Sequence, residues 1–184
     1  MKYVIHRLCW SYEKEEKWLN EMAAKGLALV DYSFCRYLFE KCEKGEYLYR
    51  IELLENKPEH PESAAYISFM EETGVECVTT YMRWVYFRKK TADGAFDLYS
   101  DIDSKIKHYK RVFALFLWTA ILEFLICLSN IIIGLIGLTN RVNIAPVNLV
   151  CAGILFALGI LLIAFGLPVY KKAKRLKNER QIHE

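Results

Sequence analysis

The chain has 184 residues, 54% hydrophobic and 26% charged, with a formal net charge of +3 at pH 7. Residues 1–100 hold 14 Lys+Arg against 17 Asp+Glu, net −3, whereas residues 113–170 hold one base, Arg141, and one acid, Glu123. That split excludes a wholly soluble chain, a disordered one and a collagen-like or disulfide-framed fold, and predicts a small soluble domain joined to a membrane hairpin.

Met1 to Asn20 is charged and interrupted throughout, so no signal peptide is expected. Tyr3 to Leu8 reads as a strand by its β-branched and aromatic content. A helix follows: Ser11 is an N-cap candidate, Glu13, Glu15 and Glu16 favour the positive helix start, Trp18, Leu19, Met22 and Ala23 form an apolar stripe, and Gly26 is the stop. Arg36 to Glu40 and Tyr47 to Leu53 read as strands that the turn Glu43-Lys44-Gly45-Glu46 makes into a hairpin. The pattern then recurs. Pro61 suits a first helical residue, Tyr66, Ile67 and Met70 make a stripe with Phe69 beside it, Gly74 closes the helix, and Arg83 to Arg88 is a last strand. Leu27 to Tyr32 and Val75 to Thr80 read either as separate short strands or as bends in longer ones.

Offsetting the sequence by 48 residues aligns Trp18 with Tyr66, Leu19 with Ile67, Met22 with Met70, Gly26 with Gly74, Leu27 with Val75, Val30 with Val78, Phe39 with Phe87 and Lys41 with Lys89. Residues 1–100 are therefore expected to form an α+β ferredoxin-like domain, βαββαβ, with an internal duplication and both helices on one face of an antiparallel sheet. The opposite face would expose aromatics. Alternation nominates Tyr37, Tyr49, Trp84 and Tyr86 as a binding face, a self-association surface being the rival and a one-residue register change exchanging them for the core set.

Cys9, Cys35, Cys42 and Cys77 lie in the soluble part, Cys127 and Cys151 in the apolar spans, with no Cys-x-x-Cys pair. No disulfide, metal or cofactor is expected. His6, His60, His108 and His183 are scattered, no phosphate loop or nucleophile motif is present, and the acidic cluster at residues 13–16 reads as a helix start. The soluble domain is net acidic, so no direct nucleic-acid partner is expected.

Residues 101–112 form a basic linker, 113–138 and 147–170 two apolar stretches that each exceed the about 20 residues needed to cross a bilayer, and 171–184 a basic tail. Lys105, Lys107, Lys110 and Arg111 precede the first span, Lys171, Lys172, Lys174, Arg175, Lys177 and Arg180 follow the second, and the intervening loop has Arg141 alone. This asymmetry predicts a two-pass protein of the plasma membrane with both termini cytoplasmic, and Lys107, Lys110, Arg111, Lys171, Lys172, Lys174 and Arg175 against lipid headgroups. Glu123 falls about 15 Å into the first span, where a charge is costly. With Ser129 and Asn130 it forms a polar stripe that would meet the second span, another copy or a membrane-protein partner; the plainer reading is that it snorkels. Small residues Gly134, Gly137, Gly153 and Ala157 suit close helix approach within the hairpin or between copies.

Trp18-Leu19-Asn20-Glu21-Met22-Ala23-Ala24-Lys25-Gly26, Tyr37-x-Phe39-Glu40-Lys41, Tyr49-Arg50-Ile51, Gly74-Val75-Glu76-x-Val78 and Tyr86-Phe87-Arg88-Lys89 resemble the bacterial domain-of-unknown-function family numbered 2812, over roughly Leu8 to Arg111. Where that family often has Trp after the helix-stopping glycine, this chain has Leu27 and Val75. The resemblance implies membrane helices after the domain and, because members are often encoded beside a small winged-helix regulator of the phenolic-acid-responsive type, a regulatory or envelope setting with that regulator as a partner. It carries no catalytic residue. The expected function is a non-enzymatic, membrane-anchored sensor or protein-interaction module, and the alternative is an accessory or assembly subunit of a membrane transporter.

Overall fold

In the computed structural model, which describes residues 2–99, 101–140 and 145–183 with side chains through Arg180, the chain divides into two units, Met1–Ser100 and Asp101–Glu184. The first contains β1 (Lys2–His6), α1 (Tyr12–Ala24), β2 (Leu27–Ser33), β3 (Arg36–Lys41), β4 (Tyr47–Leu53), α2 (Pro61–Glu72), β5 (Glu76–Tyr81), β6 (Trp84–Lys90) and a 3-10 turn, Thr91–Asp93. Its strands form two antiparallel three-stranded sheets, ordered β1-β3-β2 and β4-β6-β5.

The order therefore departs from the six-element, single-sheet expectation, and Arg36–Lys41 and Tyr47–Leu53 are not a hairpin, since each pairs within its own sheet. Leu27–Ser33 and Glu76–Tyr81 are full strands, and each half reads βαββ. Gly26 at φ +85° and Gly74 at φ +83° end the helices in the left-handed region and turn the chain straight into β2 and β5. At Gly26 space matters too, since a Cβ would lie 3.0 Å from the Cys42 carbonyl oxygen, whereas Gly74 faces open space. The central strands β3 and β6 have two edges of backbone donors and acceptors to satisfy, and one strand on each side does so. The two halves match in detail. The bulge between Leu29 and Asp31 in β2 has its counterpart between Cys77 and Thr79 in β5.

Trp18, Leu19, Met22 and Ala23 of α1 pack with Leu29, Tyr37 and Phe39 of the first sheet and with Tyr49, Ile51 and Tyr86 of the second, so this core belongs to both halves. Trp18 meets Tyr37 and Phe39 edge-on, with ring centroids 4.8 and 5.7 Å apart. α1 also occupies the free edge of β4. Asn20 Oδ1 accepts from Tyr49 N at 2.8 Å, its Nδ2 donates to Tyr49 O at 3.1 Å, and Glu16 Oε2 accepts from Ile51 N at 2.9 Å. Side chains thus take the place of a neighbouring strand. α2 covers a smaller cluster of Leu54, Met70, Val75, Val85, Phe87 and Phe96.

The second unit consists of α3 (Ile102–Thr139) and α4 (Ala145–His183). The expected linker and tail are helical. Asp101 caps α3, its Oδ1 accepting from Ser104 N at 2.6 Å, and α4 continues past Pro168 through the basic segment. At 1.5 Å per residue α3 is about 57 Å long, well beyond the about 30 Å of a hydrocarbon core. Both helices are long and apolar enough to cross a membrane, and most of their Leu, Ile, Val and Phe side chains point outward. They run antiparallel. Gly137 faces Ala145, Gly134 faces Leu149, Gly159 faces Phe124 and Gly166 faces Phe113 and Phe116; a Cβ on Gly137 would come within 2.8 Å of the Ala145 Cβ. Hairpin packing accounts for Gly134 and Gly137, whereas Gly153 meets nothing within 4 Å and Ala157 is exposed.

Candidate functional site

Glu15, Trp18, Leu19 and Met22 stand at i, i+3, i+4 and i+7 of α1, so a carboxylate takes the first place in an otherwise apolar line and points into the core. Glu15 is 7% exposed. Its Oε1 accepts from Tyr37 OH of β3 and from Tyr86 OH of β6, both at 2.8 Å, so one oxygen joins the two sheets. Burial pushes the Glu15 carboxyl above its ordinary value, against the pull of both phenols, and burial and the nearby carboxylate push both phenols far above theirs. Tyr32 completes the cluster. Its ring lies 4.7 Å from Tyr37, 5.0 Å from Tyr86 and 5.3 Å from Tyr81, and its hydroxyl accepts from Cys35 N. The half-buried Cys9 thiol is raised by burial and then by Glu15.

The rest of the seam between the halves is also made by side chains. Leu29 N donates to Tyr49 OH at 2.8 Å, Arg88 donates to Leu29 O at 3.2 Å, and Thr79 Oγ1 donates to Asp31 at 3.2 Å. Burial pushes the Tyr49 phenol up to about 12. Arg88 is fixed by a bidentate pair with Glu76, both bonds 2.7 Å, and lies 4.4 Å over the Tyr47 ring.

Three of the four aromatics expected on an exposed face are buried: Tyr37 is 1%, Tyr49 0% and Tyr86 3% exposed, while Trp84 is half-buried against Tyr12 at 5.6 Å. Alternation misassigns them because β6 is covered on both faces, with Val85, Tyr86 and Phe87 buried in succession. Besides Val4 of β1 and Phe69 of α2, four exposed apolar residues gather at one end of the unit. Asp31 bonds Thr79 and Tyr32 stacks on Tyr81, so β2 and β5 run alongside and their hairpin turns leave from the same end. Those turns carry Phe34, 77% exposed, and Met82, 75% exposed. Arg7 N donates to Cys35 O, which brings the Leu8–Trp10 loop to the same end, with Leu8 and Trp10 both more than half exposed. Phe34 (φ 23°), Cys35 (φ 63°) and Met82 (φ 56°) occupy the left-handed region that Gly and Asn adopt cheaply.

Glu123 lies on the α4-facing line of α3 with Ala120, Cys127, Asn130 and Gly134, and its Oε2 is buried with no hydrogen-bond partner among the described residues. Cys127 Sγ is within 3.2 Å of Ala152 O on that line. Of the expected polar stripe, Glu123 and Asn130 share this line and Ser129 does not. Ser129 is exposed and bonds Leu125 O of its own helix, and Asn130 bonds Ile126 O. Lys107, Lys110, Lys171, Lys172, Lys174 and Arg175 are exposed and Arg111 half-buried. Among the described residues no three His, Cys, Asp or Glu side chains gather as a metal site.

These features define a two-sheet α+β domain with a buried carboxylate–tyrosine junction, followed by two apolar helices of membrane-crossing length. The sequence profile of DUF2812, described as a protein of unknown function, matches residues 11–121, and the chain belongs to that family. The match reaches into α3. No curated protein and no solved structure matches the chain.

Proposed function

We propose that this protein is a membrane-anchored, non-enzymatic interaction module: α3 and α4 cross the bilayer with both termini cytoplasmic, and residues 1–100 offer the Leu8, Trp10, Phe34 and Met82 end to a partner protein. The observation that carries this reading is that Phe34 and Met82 are largely exposed in left-handed turns where Asn or Gly would be more stable. Stability gives no reason for an apolar residue there, and recognition does. The two βαββ halves are an internal duplication, each keeping the β1-β3-β2 part of a ferredoxin-like sheet. Glu15 joins the halves beneath the apolar end, so a change at that carboxylate alters the surface above it and gives the module a sensing element. The winged-helix regulator implied by the family setting is the partner of choice.

A second reading, an accessory subunit of a membrane transporter, is favoured by the buried and unpartnered Glu123 Oε2. Full-length protein captured in mild detergent distinguishes the two. Phe34→Asn with Met82→Asn loses a soluble partner if the cytoplasmic end binds it, whereas loss of an integral-membrane partner with Glu123→Leu alone, the double variant behaving as wild type, overturns the first reading in favour of the second.

A further inference from the structure

Beyond the apolar stretches, α3 and α4 form an open, shallow cavity of about 210 Å³ lined by Lys105 and Tyr109 of α3 and by Lys172, Arg175, Leu176 and Glu179 of α4. Three cations face one carboxylate. Arg175 Nε donates to Glu179 at 2.7 Å, which orients the guanidinium, and among the described residues neither the terminal NH2 groups of Arg175 nor Lys105 has an ion pair. The cavity has a strut at each end: the Phe113 and Tyr170 rings meet at 5.0 Å on the apolar side, and Arg180 pairs with Asp103 on the other. Counting 1.5 Å per residue from Phe113 and Tyr170, Lys172 stands about 3 Å, Tyr109 about 6 Å, Arg175 about 8 Å and Lys105 about 12 Å outside the apolar band. Lys172 and Tyr109 stand in the interfacial layer, about 5–7 Å deep on each side of the bilayer, where phospholipid phosphates lie, and Arg175 and Lys105 stand beyond it on long stems that can lean back toward it.

We infer that this cavity is a binding site for the phosphate group of an anionic phospholipid, with Lys105, Lys172 and Arg175 as its cationic ligands. A guanidinium oriented by Glu179 suits a phosphate's paired oxygens, and two ammonium groups from opposite helices supply charge without fixed geometry. A site between the helices differs from the diffuse attraction of the basic tail, because it requires α3 and α4 to be packed together. A bound lipid therefore holds the hairpin closed at its polar end. The inference rests on the helices crossing a membrane and is independent of any protein partner.

The test uses full-length protein reconstituted into phosphatidylcholine vesicles with and without one-fifth phosphatidylglycerol, then extracted gently for native mass spectrometry of retained lipid. Wild type is expected to keep one phosphatidylglycerol per chain, and Lys105→Gln with Arg175→Gln to keep about tenfold less. Lys174→Gln with Lys177→Gln, which removes the same charge outside the cavity, is expected to match wild type. Equal loss in both double variants, or loss in neither, overturns the site. Displacement by millimolar inorganic phosphate as readily as by added phosphatidylglycerol would overturn the lipid as its source in favour of a free phosphate. Failure of the protein to enter either vesicle would overturn the membrane reading itself, a result distinct from insertion without retained lipid.

Discussion

Glu15 shows how far a single residue can be read before the fold is known. Its place at i in the line completed by Trp18, Leu19 and Met22 is visible in the sequence, yet Glu13, Glu15 and Glu16 all suit a helix start, and that local preference explains a carboxylate at each position equally well. Only the return of Tyr37 and Tyr86 from two sheets makes Glu15 different, and contacts that far apart in sequence leave no local pattern. The consequence for stability has a definite sign. Burial raises the folded-state pKa of Glu15 above its ordinary 4.5, so the folded chain binds the proton more tightly than the unfolded one; this contribution is complete below the ordinary value and is lost as pH rises through the raised one. Glu15→Gln keeps an oxygen for both phenols and removes the titration. Thermal unfolding of the full-length protein, followed by the near-ultraviolet signal of its tyrosines and tryptophans, should show the variant gaining on wild type as pH is raised from 4.5 to 7. A constant difference across that range would mean that Glu15 does not titrate there. Glu15→Ala should cost about 2–4 kcal/mol at pH 4.5, since two buried phenols lose their acceptor, and less as pH rises and the wild type loses the contribution of its raised carboxyl.

At the scale of elements, what was legible followed from turn and cap chemistry. Gly26, Pro61 and Gly74 bound the two helices as expected, and the 48-residue offset recurs in the paired bulges. The strand count was not legible. Leu27–Ser33 follows its glycine without a spacer, and only its pairing with β3 separates a strand from a bend. Face assignment failed for a related reason, because alternation presumes one wet face and β6 has none. The hairpin turns run against local preference, and that conflict is testable. Replacing Phe34 and Cys35 by Asn-Gly should raise stability by about 1 kcal/mol while abolishing partner capture; retained capture would remove the functional meaning assigned to the turn. In the helical hairpin, Gly137→Val should lower the thermal stability of the detergent-solubilised protein because neither Ala145 backbone nor its Cβ can give way, whereas Gly153→Val, with open space around it, should not. Equal effects would place the contact between copies of the chain.

Over the whole molecule, the partition into 1–100 and 101–184 is written in composition, which is why the sequence shows it so plainly: lipid and water select different residues over long stretches, and no tertiary detail is needed to see the boundary. The proposed orientation rests on charge. Ten Lys and Arg side chains flank the two apolar stretches at positions 105–111 and 171–180, and the loop between them has Arg141 alone. Moving that many cations out of a negatively charged cytoplasm is the costlier arrangement, and the proposed orientation therefore keeps the basic ends inside and sends the loop across. Cysteine chemistry can check this without a fusion protein. With both termini inside, Cys9, Cys35, Cys42 and Cys77 are cytoplasmic, while Cys127 is buried and Cys151 half-buried within the helices, so a membrane-impermeant maleimide should leave wild type unlabelled in intact cells. Thr139→Cys, at the exposed last residue of α3, should then be labelled from outside and protected only if the loop faces the cytoplasm. Labelling of wild type together with protection of Thr139→Cys would reverse the orientation and would put the apolar end of residues 1–100 outside the cell, beyond the reach of any cytoplasmic regulator.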